Sequence, residues 1–415
     1  MLTDNAVAPP TAGLPLAASD LWPRSRADLG AALASFLSLP ALQMTCSGTA
    51  ALVIALTALK QRSPSRMEVI VPAYTCPLVA LAVAHCGLHL RLCDLMPDSL
   101  DMDPAELRAL CSERTLAVVP THLGGRVVDA AAARQAASAW GAVTIEDAAQ
   151  ALGATVEGTS VGAQSDMVFF SLAIGKGLTT FEGGALHVHD AALRAACHDV
   201  AARIAPFSLK WELLRSLQLL GSAVLYRPGG LGLAYGRPLK QALRRGDWIE
   251  AAGDDFSPDI PLHSLGRWRQ AVGLRALHRL ADFLHEGRLR AARRCERLRR
   301  IAGVQVLGDS ERVEAADGTW PVLMLLMPDQ PRRDFVLAKL WGAGCGVSLP
   351  FVHALPDYAA YAHAVPRVAA DAVPHARALA RRLITISNSP WLSDERFEAV
   401  CEEIERVVRE KTAVR

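Results

Sequence analysis

The chain has 415 residues, of which 51% are hydrophobic and 21% charged, and a formal net charge of +2. That length exceeds what one core usually fills, so two domains are expected, and the composition excludes a disordered or fibrous protein. The near-neutral balance gives no pull toward nucleic acid, and nine cysteines without a C-x-x-C pair indicate neither a disulfide framework nor a metal site.

Residues 1–25 read as an N-terminal arm rich in proline and small residues, with no basic-then-apolar leader. No stretch reaches the roughly 18 uninterrupted apolar residues that span a bilayer, so a cytoplasmic protein without stable membrane insertion is expected. From 26 to 204, short apolar runs alternate with alanine-rich segments. VIVPAY (69–74), LRLCDL (90–95), LAVVPTH (116–122), AVTIED (142–147) and MVFFSL (167–172) predict buried strands. Helical stretches such as AALVIALTALK between them predict an α/β domain whose mostly parallel sheet is sandwiched by helices.

Residues 205–255 break this rhythm and read as an insertion or interdomain segment, with an amphipathic helix followed by a Pro-Gly-Gly turn. The spacing of Leu213, Leu217 and Leu220 in it predicts ordinary packing. From 256 to 415 the pattern gives a smaller α+β domain: a long basic helix, a strand at PVLMLLM, a helix after Arg332 and a last one from Asp394. In RLRAARRCERLRR the arginines read as a solvated face opposite Leu289, Ala292, Cys295 and Leu298.

Three stretches carry residues suited to chemistry. FFSLAIGKGLTTFEGGAL (169–186) sets Lys176 among aromatic, aliphatic and glycyl residues. A phosphate-binding P-loop is excluded there, because Phe170 and Gly177 occupy positions that need a glycine and a Ser or Thr. A lysine starved of water loses part of its charge, and its neutral amine attacks carbonyl carbons, so Lys176 is a candidate Schiff-base residue. AVTIEDAAQALGA ends a strand on Glu146 and Asp147, and ligands in open α/β sheets bind at such strand ends. A carboxylate there is what the pyridine nitrogen of pyridoxal 5'-phosphate (PLP) requires. TCSGTAAL places Gly48 and Thr49 at the start of an apolar helix, whose free N–H groups can cup a phosphate, and Ser171 can add a hydroxyl.

The order of these stretches resembles the DegT/StrS family of PLP-dependent sugar aminotransferases of fold type I. The resemblance is carried by SGTAAL (47–52), VIVPAYT (69–75), VVPTHLGGRVVD (118–129), IEDAAQALGA (145–154), VG (161–162) and FSLAIGKGLTTFEGGAL (170–186). It implies PLP as cofactor, Lys176 as its covalent anchor and acid/base, Asp147 as the pyridinium partner and Gln150 near the phenolic oxygen. It also implies phosphate contacts from Ser171, Gly48 and Thr49, and a homodimer.

Where many members carry a ring-stacking aromatic, this chain has Cys76, which leaves Tyr74 as the alternative cover. The family's Asn-x-Arg segment appears as HSLGRWRQAVG, with His263 near the asparagine position, and His122 matches a family histidine without being assigned to chemistry. The implied reaction moves an amino group from an amino-acid donor, usually glutamate, to a nucleotide-linked keto-sugar. A cyclitol or other non-sugar ketone is the alternative acceptor, and a non-catalytic PLP-binding regulatory relative the alternative class.

Overall fold

The computed structural model describes residues 7–22 and 28–410, so residues 1–6 and 23–25 of the expected N-terminal arm lie outside the described residues. Seven strands make the larger sheet: β1 (Gln43–Thr45), β2 (Glu68–Pro72), β3 (His89–Cys93), β4 (Thr115–Val118), β5 (Val143–Asp147), β6 (Met167–Ser171) and β7 (Gly184–Val188). Their order is β1-β7-β6-β5-β4-β2-β3. Strands β2 to β6 run parallel, while β7 is antiparallel to both β6 and β1. Every residue of β2 and β6 is buried, as a sheet covered on both faces demands.

Helix α1 (Gly48–Arg62) is buried almost all round, from Ala50 to Leu56, which its run of small and aliphatic residues permits. Helix α2 (Pro77–His85) follows β2 with proline in its first turn, where a missing N–H costs nothing. The third predicted strand stops at Val118 instead of running to His122. Pro120 has no N–H for a ladder, and the chain beyond it serves the end of β5: Asp147 N donates to Pro120 O, and His122 N to Asp147 O.

The chain then forms α3 (Leu209–Leu225), α4 (Arg267–Leu277) and α5 (Leu280–Arg299). The second sheet is wholly antiparallel, with β8 (Gln305–Leu307), β9 (Val322–Leu326), β10 (Val347–Ser348) and β11 (Leu383–Ser387) in the order β8-β9-β11-β10. Among the described residues no helix is long and apolar enough to cross a membrane.

Four sequence expectations need correction. The long basic helix is two helices, α4 and α5, broken around His278 and Arg279, whose guanidinium turns back to Pro15 O and Asp20. The arginines of α5 are not simply solvated, and its buried face is Ala291, Arg294, Cys295 and Leu298, while Leu289 is 51% exposed. Arg294 reaches Leu392 O, Arg288 reaches Gly153 O, and Arg297 pairs with Glu398 and Glu405, because a long guanidinium finds carbonyls and carboxylates that helical spacing does not reveal. Leu213, Leu217 and Leu220 are not buried by the described residues: the first two are 57% and 67% exposed, and of α3 only Leu219 is buried. Pro228 to Gly230 continue as helix, not as a turn.

Gly162, part of the VG pair, has φ +82°, and a Cβ built there would lie 2.2 Å from Val168 Cγ1 in β6. Gly162→Ala combines a left-handed backbone with a clash against a fully buried strand. It is expected to cost roughly 2 kcal/mol or more, read as a lower midpoint in denaturant unfolding.

Candidate active site

Lys176 sits in the loop that leaves β6, half-buried, and that loop is tied down on two sides. Leu172 N donates to Gly183 O and Ile174 N to Phe181 O, so the loop folds back on itself as a hairpin. From the N-terminal segment, Thr11 Oγ1 donates to Gly175 O (2.8 Å) and Leu14 N to Gly177 O (3.2 Å). Gly13 is needed for this approach, since a Cβ on it would lie 2.7 Å from Lys176 O. Burial pushes the Lys176 ammonium below its ordinary range, and the ionisable groups that act on it are Cys76 and Asp147.

Asp147 ends β5 with its backbone pinned by Pro120 and His122 and its side chain buried. Oδ1 accepts from Ala149 N at 3.0 Å. Burial raises the carboxyl to about 6, against the lowering effect of that N–H, Lys176 and His122. Its strand neighbour Glu146 is engaged elsewhere, with His122 Nε2 at 2.8 Å and the Ser165 hydroxyl on its other oxygen. Val128 N donates to His122 Nδ1 (3.2 Å), which leaves the proton on Nε2, facing Glu146. His122 is thus a buried brace between β4 and β5.

Helix α1 begins beside β6. Ser47 Oγ caps it by accepting from Ala50 N (3.0 Å), and the N–H groups of Gly48 and Thr49 have no partner among the described residues. Gly48 lies so close to Ser171 that a Cβ on it would come 3.2 Å from Ser171 Cβ. Gln150 Oε1 accepts from Gly124 N at 2.7 Å, which fixes the amide and leaves its NH₂ group without a partner.

The structure therefore brings Lys176, Asp147 and Cys76 together and sets Ser171 against Gly48. It does not bring Tyr74 to them. That ring is buried edge-on against Phe351 (5.9 Å), and its hydroxyl donates to Phe351 O at 2.9 Å. Cys76 is a neutral thiol, pushed up to about 12 by burial. His263 is buried and stacked on Trp211 at 5.5 Å, with Nδ1 on Ser264 O and Nε2 unpartnered.

Sequence reasoning missed two arginines that hold the lysine loop. Arg269 Nη1 donates to Glu182 O (2.6 Å) while its other nitrogens grip Glu212 of α3 (3.0 and 2.8 Å), and Arg215 pairs with the Glu182 carboxylate. Arg269 falls in the HSLGRWRQAVG stretch, but nothing in its spacing reveals a partner in the lysine loop.

The sequence profile of the DegT/DnrJ/EryC1/StrS aminotransferase family matches residues 24–205 and 265–405. GDP-perosamine synthase of Caulobacter vibrioides is 38% identical over 149 residues, 36% of this chain and 40% of that protein. L-glutamine:2-deoxy-scyllo-inosose aminotransferase of Streptomyces fradiae is 37% identical over 162 residues, 39% of this chain and 38% of that protein. The match thus spans about two fifths of the length of these curated relatives. In three dimensions, the PLP form of Spr1654, a putative sugar aminotransferase of Streptococcus pneumoniae, superimposes with a TM-score of 0.68. That likeness covers 98% of this chain and 93% of the other at 21% identity, and it shows a common fold. By the extent of the profile match, the chain belongs to the DegT/DnrJ/EryC1/StrS aminotransferase family.

Proposed function

We propose that the chain is a PLP-dependent aminotransferase that moves an amino group from an amino acid, glutamate first, to the keto group of a nucleotide-linked sugar. The observation that carries this reading is a half-buried lysine whose charge is opposed by burial and which is electrostatically coupled to a buried carboxyl at a strand end. The residues fit the cofactor: Gly48 leaves room at a helix start with two unused N–H groups, and Asp147 is a buried acid in need of a cation. Bound there, PLP supplies a protonated ring as electron sink and an aldehyde carbon that can carry nitrogen between substrates.

The chain's own residues supply the rest. Lys176 Nζ, whose charge burial disfavours, would hold the cofactor and would take and return the proton at the reacting carbon. Asp147, once ionised, would hold the ring nitrogen's proton in place by its charge. The free NH₂ of Gln150 can donate to the phenolic oxygen, and Gly48 N, Thr49 N and Ser171 Oγ can receive the phosphate. Cys76 offers a neutral, polarisable surface to the ring, without a charge that competes with Asp147.

A cyclitol ketone is the second reading for the acceptor, because the inosose aminotransferase is as similar to this chain as the perosamine synthase is. Either acceptor suits a role in polysaccharide or secondary-metabolite synthesis. The nine cysteines are all unpaired, in keeping with a reducing cytoplasm. The partner we infer is a second copy of the chain. Support comes from α3, whose outer stripe of Leu213, Leu217, Leu220 and Val224 repeats at the four-three-four spacing by which helices pair, with 70% exposure at Val224.

Lys176→Ala is expected to abolish the visible absorption of protein purified with PLP. It should also slow formation of 2-oxoglutarate from added glutamate roughly a thousandfold or more; a variant that keeps both the band and that rate would end the proposal. For Asp147 the sign follows from its shift. The folded carboxyl keeps its proton up to about 6, whereas the ordinary value is 3.8, so folding takes up a proton between those values and the group costs stability above them. In cofactor-stripped protein, Asp147→Asn should match the parent below pH 4 and exceed it above pH 6, by up to about 3 kcal/mol in urea unfolding. The same variant should hold PLP more weakly. Leu217→Glu is expected to halve the mass measured by light scattering; an unchanged mass would place the subunit contact elsewhere.

A further inference from the structure

One pocket beside the lysine loop shares Lys176 and Gln150 with the cofactor residues assigned above and extends past them into the second half of the chain. It lies between Gly175 to Gly177, the α5 face that carries Leu284, Gly287 and Arg290, and the stretch Thr319 to Pro321 with Asn388. Two cationic residues line it, Lys176 and Arg290, and no carboxylate does. An enclosed surface of that sign recruits an anion.

Arg290 differs from its neighbours on α5. Arg288, Arg294 and Arg297 all spend their guanidinium groups on carbonyls or carboxylates. Arg290 makes no hydrogen bond or ion pair with any described residue, and Glu286, Arg293 and Asp394 act on it only from a distance. It is half-buried, and burial lowers its affinity for its proton, so among the described residues its guanidinium lies at the pocket without a protein partner.

Asn388 supplies a second unmet group. It is 1% exposed, and its Nδ2 donates to Gly287 O (2.8 Å) and Trp320 O (2.9 Å). Two carbonyl partners settle which end of the amide is nitrogen. Oδ1, the other end, is buried without a partner. A buried acceptor left unmade is costly, and a ligand N–H would relieve it. Arg126 holds the pocket's wall firm, with its guanidinium 3.3 Å from the centre of the Trp320 ring and Nη2 on Val322 O.

We propose that this pocket receives the amino-acid donor, with Arg290 as the charge partner of its carboxylate and Asn388 Oδ1 as acceptor for one of its N–H groups. The proposal rests on the aminotransferase reading and deepens it. A carboxylate and the diphosphate of a sugar nucleotide share the chemistry that Arg290 recognises, and the geometry points to the carboxylate. The pocket opens beside Lys176, and the donor must present its nitrogen there while its acid group is held.

The test uses the PLP-loaded full chain and reads donor and acceptor apart. In Arg290→Gln, the concentration of L-glutamate or L-glutamine that half-saturates conversion of the visible band should rise roughly tenfold to a hundredfold, with the limiting rate far less affected. Arg290→Lys should recover part of the loss. Glutarate, which has no amine to react, should bind the parent by calorimetry and bind Arg290→Gln more weakly by a similar factor, while GDP and TDP bind both alike. Unchanged donor saturation, or a loss confined to GDP and TDP, would overturn the assignment. An intact visible band in the variant separates this outcome from failure of the cofactor reading, in which the parent itself would show no band.

Discussion

The electrostatic coupling of the Lys176 amine to the Asp147 carboxyl, each pushed toward neutrality by burial, is the constraint on which the proposed site depends. Burial alone would neutralise both: it lowers Lys176 and raises Asp147 to about 6. Each charge supports the other, but incompletely, so the pair is poised instead of locked as a salt bridge. A poised pair would suit the proposed site, in which the acid would sit beside a cationic ring and the amine would serve as nucleophile and base.

The two are held by different means. Asp147 is rigid because it ends a parallel strand, and the chain after β4 reaches across to bond its backbone on both sides. Placement on a strand end gives the acid the precision of the sheet. Lys176 needs freedom to change partners, and it sits on a loop whose hydrogen bonds are made by neighbours, not by the lysine side chain. Thr11 and Leu14 hold one side of that loop, and the Arg269, Glu212, Arg215 and Glu182 network holds the other. That network links the loop to α3, the helix with the unpartnered leucine stripe. A subunit contact at α3 would therefore bear on the lysine through two buried ion pairs.

What the sequence made legible follows from how local each signal is. Strand runs such as MVFFS and VTIED are short, apolar and bounded by small or polar residues, so period and punctuation were enough. The helix start at Gly48, the strand-terminal Asp147 and the loop lysine each fall within a few residues of such an element, so their position could be reasoned from the element itself. Tyr74 was out of reach because its fate depends on Phe351, 277 residues away, whose carbonyl takes its hydroxyl. The arginines of α5 were misread for the same reason. Periodicity tells which side of a helix is apolar, but not that a carbonyl at Leu392 waits for Arg294. Leu213 and Leu217 failed in the opposite sense, since helical spacing announces a packed face without saying whether the partner belongs to the same chain.

This division has a functional meaning. The residues suited to the cofactor lie on contiguous motifs of the first two hundred residues. The groups that line the pocket proposed for the donor, Arg290, Trp320 and Asn388, come from three separate stretches of the second half and meet through the antiparallel sheet and α5. Residues 206–264 escape the family profile altogether, and they include α3, whose Glu212 anchors Arg269. Cofactor chemistry constrains spacing within a motif tightly, because a ring and a phosphate are rigid and always the same. Substrate recognition constrains only the charges and hydrogen bonds that converge on a pocket, and many backbones can deliver those. A chain of this kind therefore declares its cofactor in its sequence, and its substrate only in the side chains that the fold leaves unsatisfied.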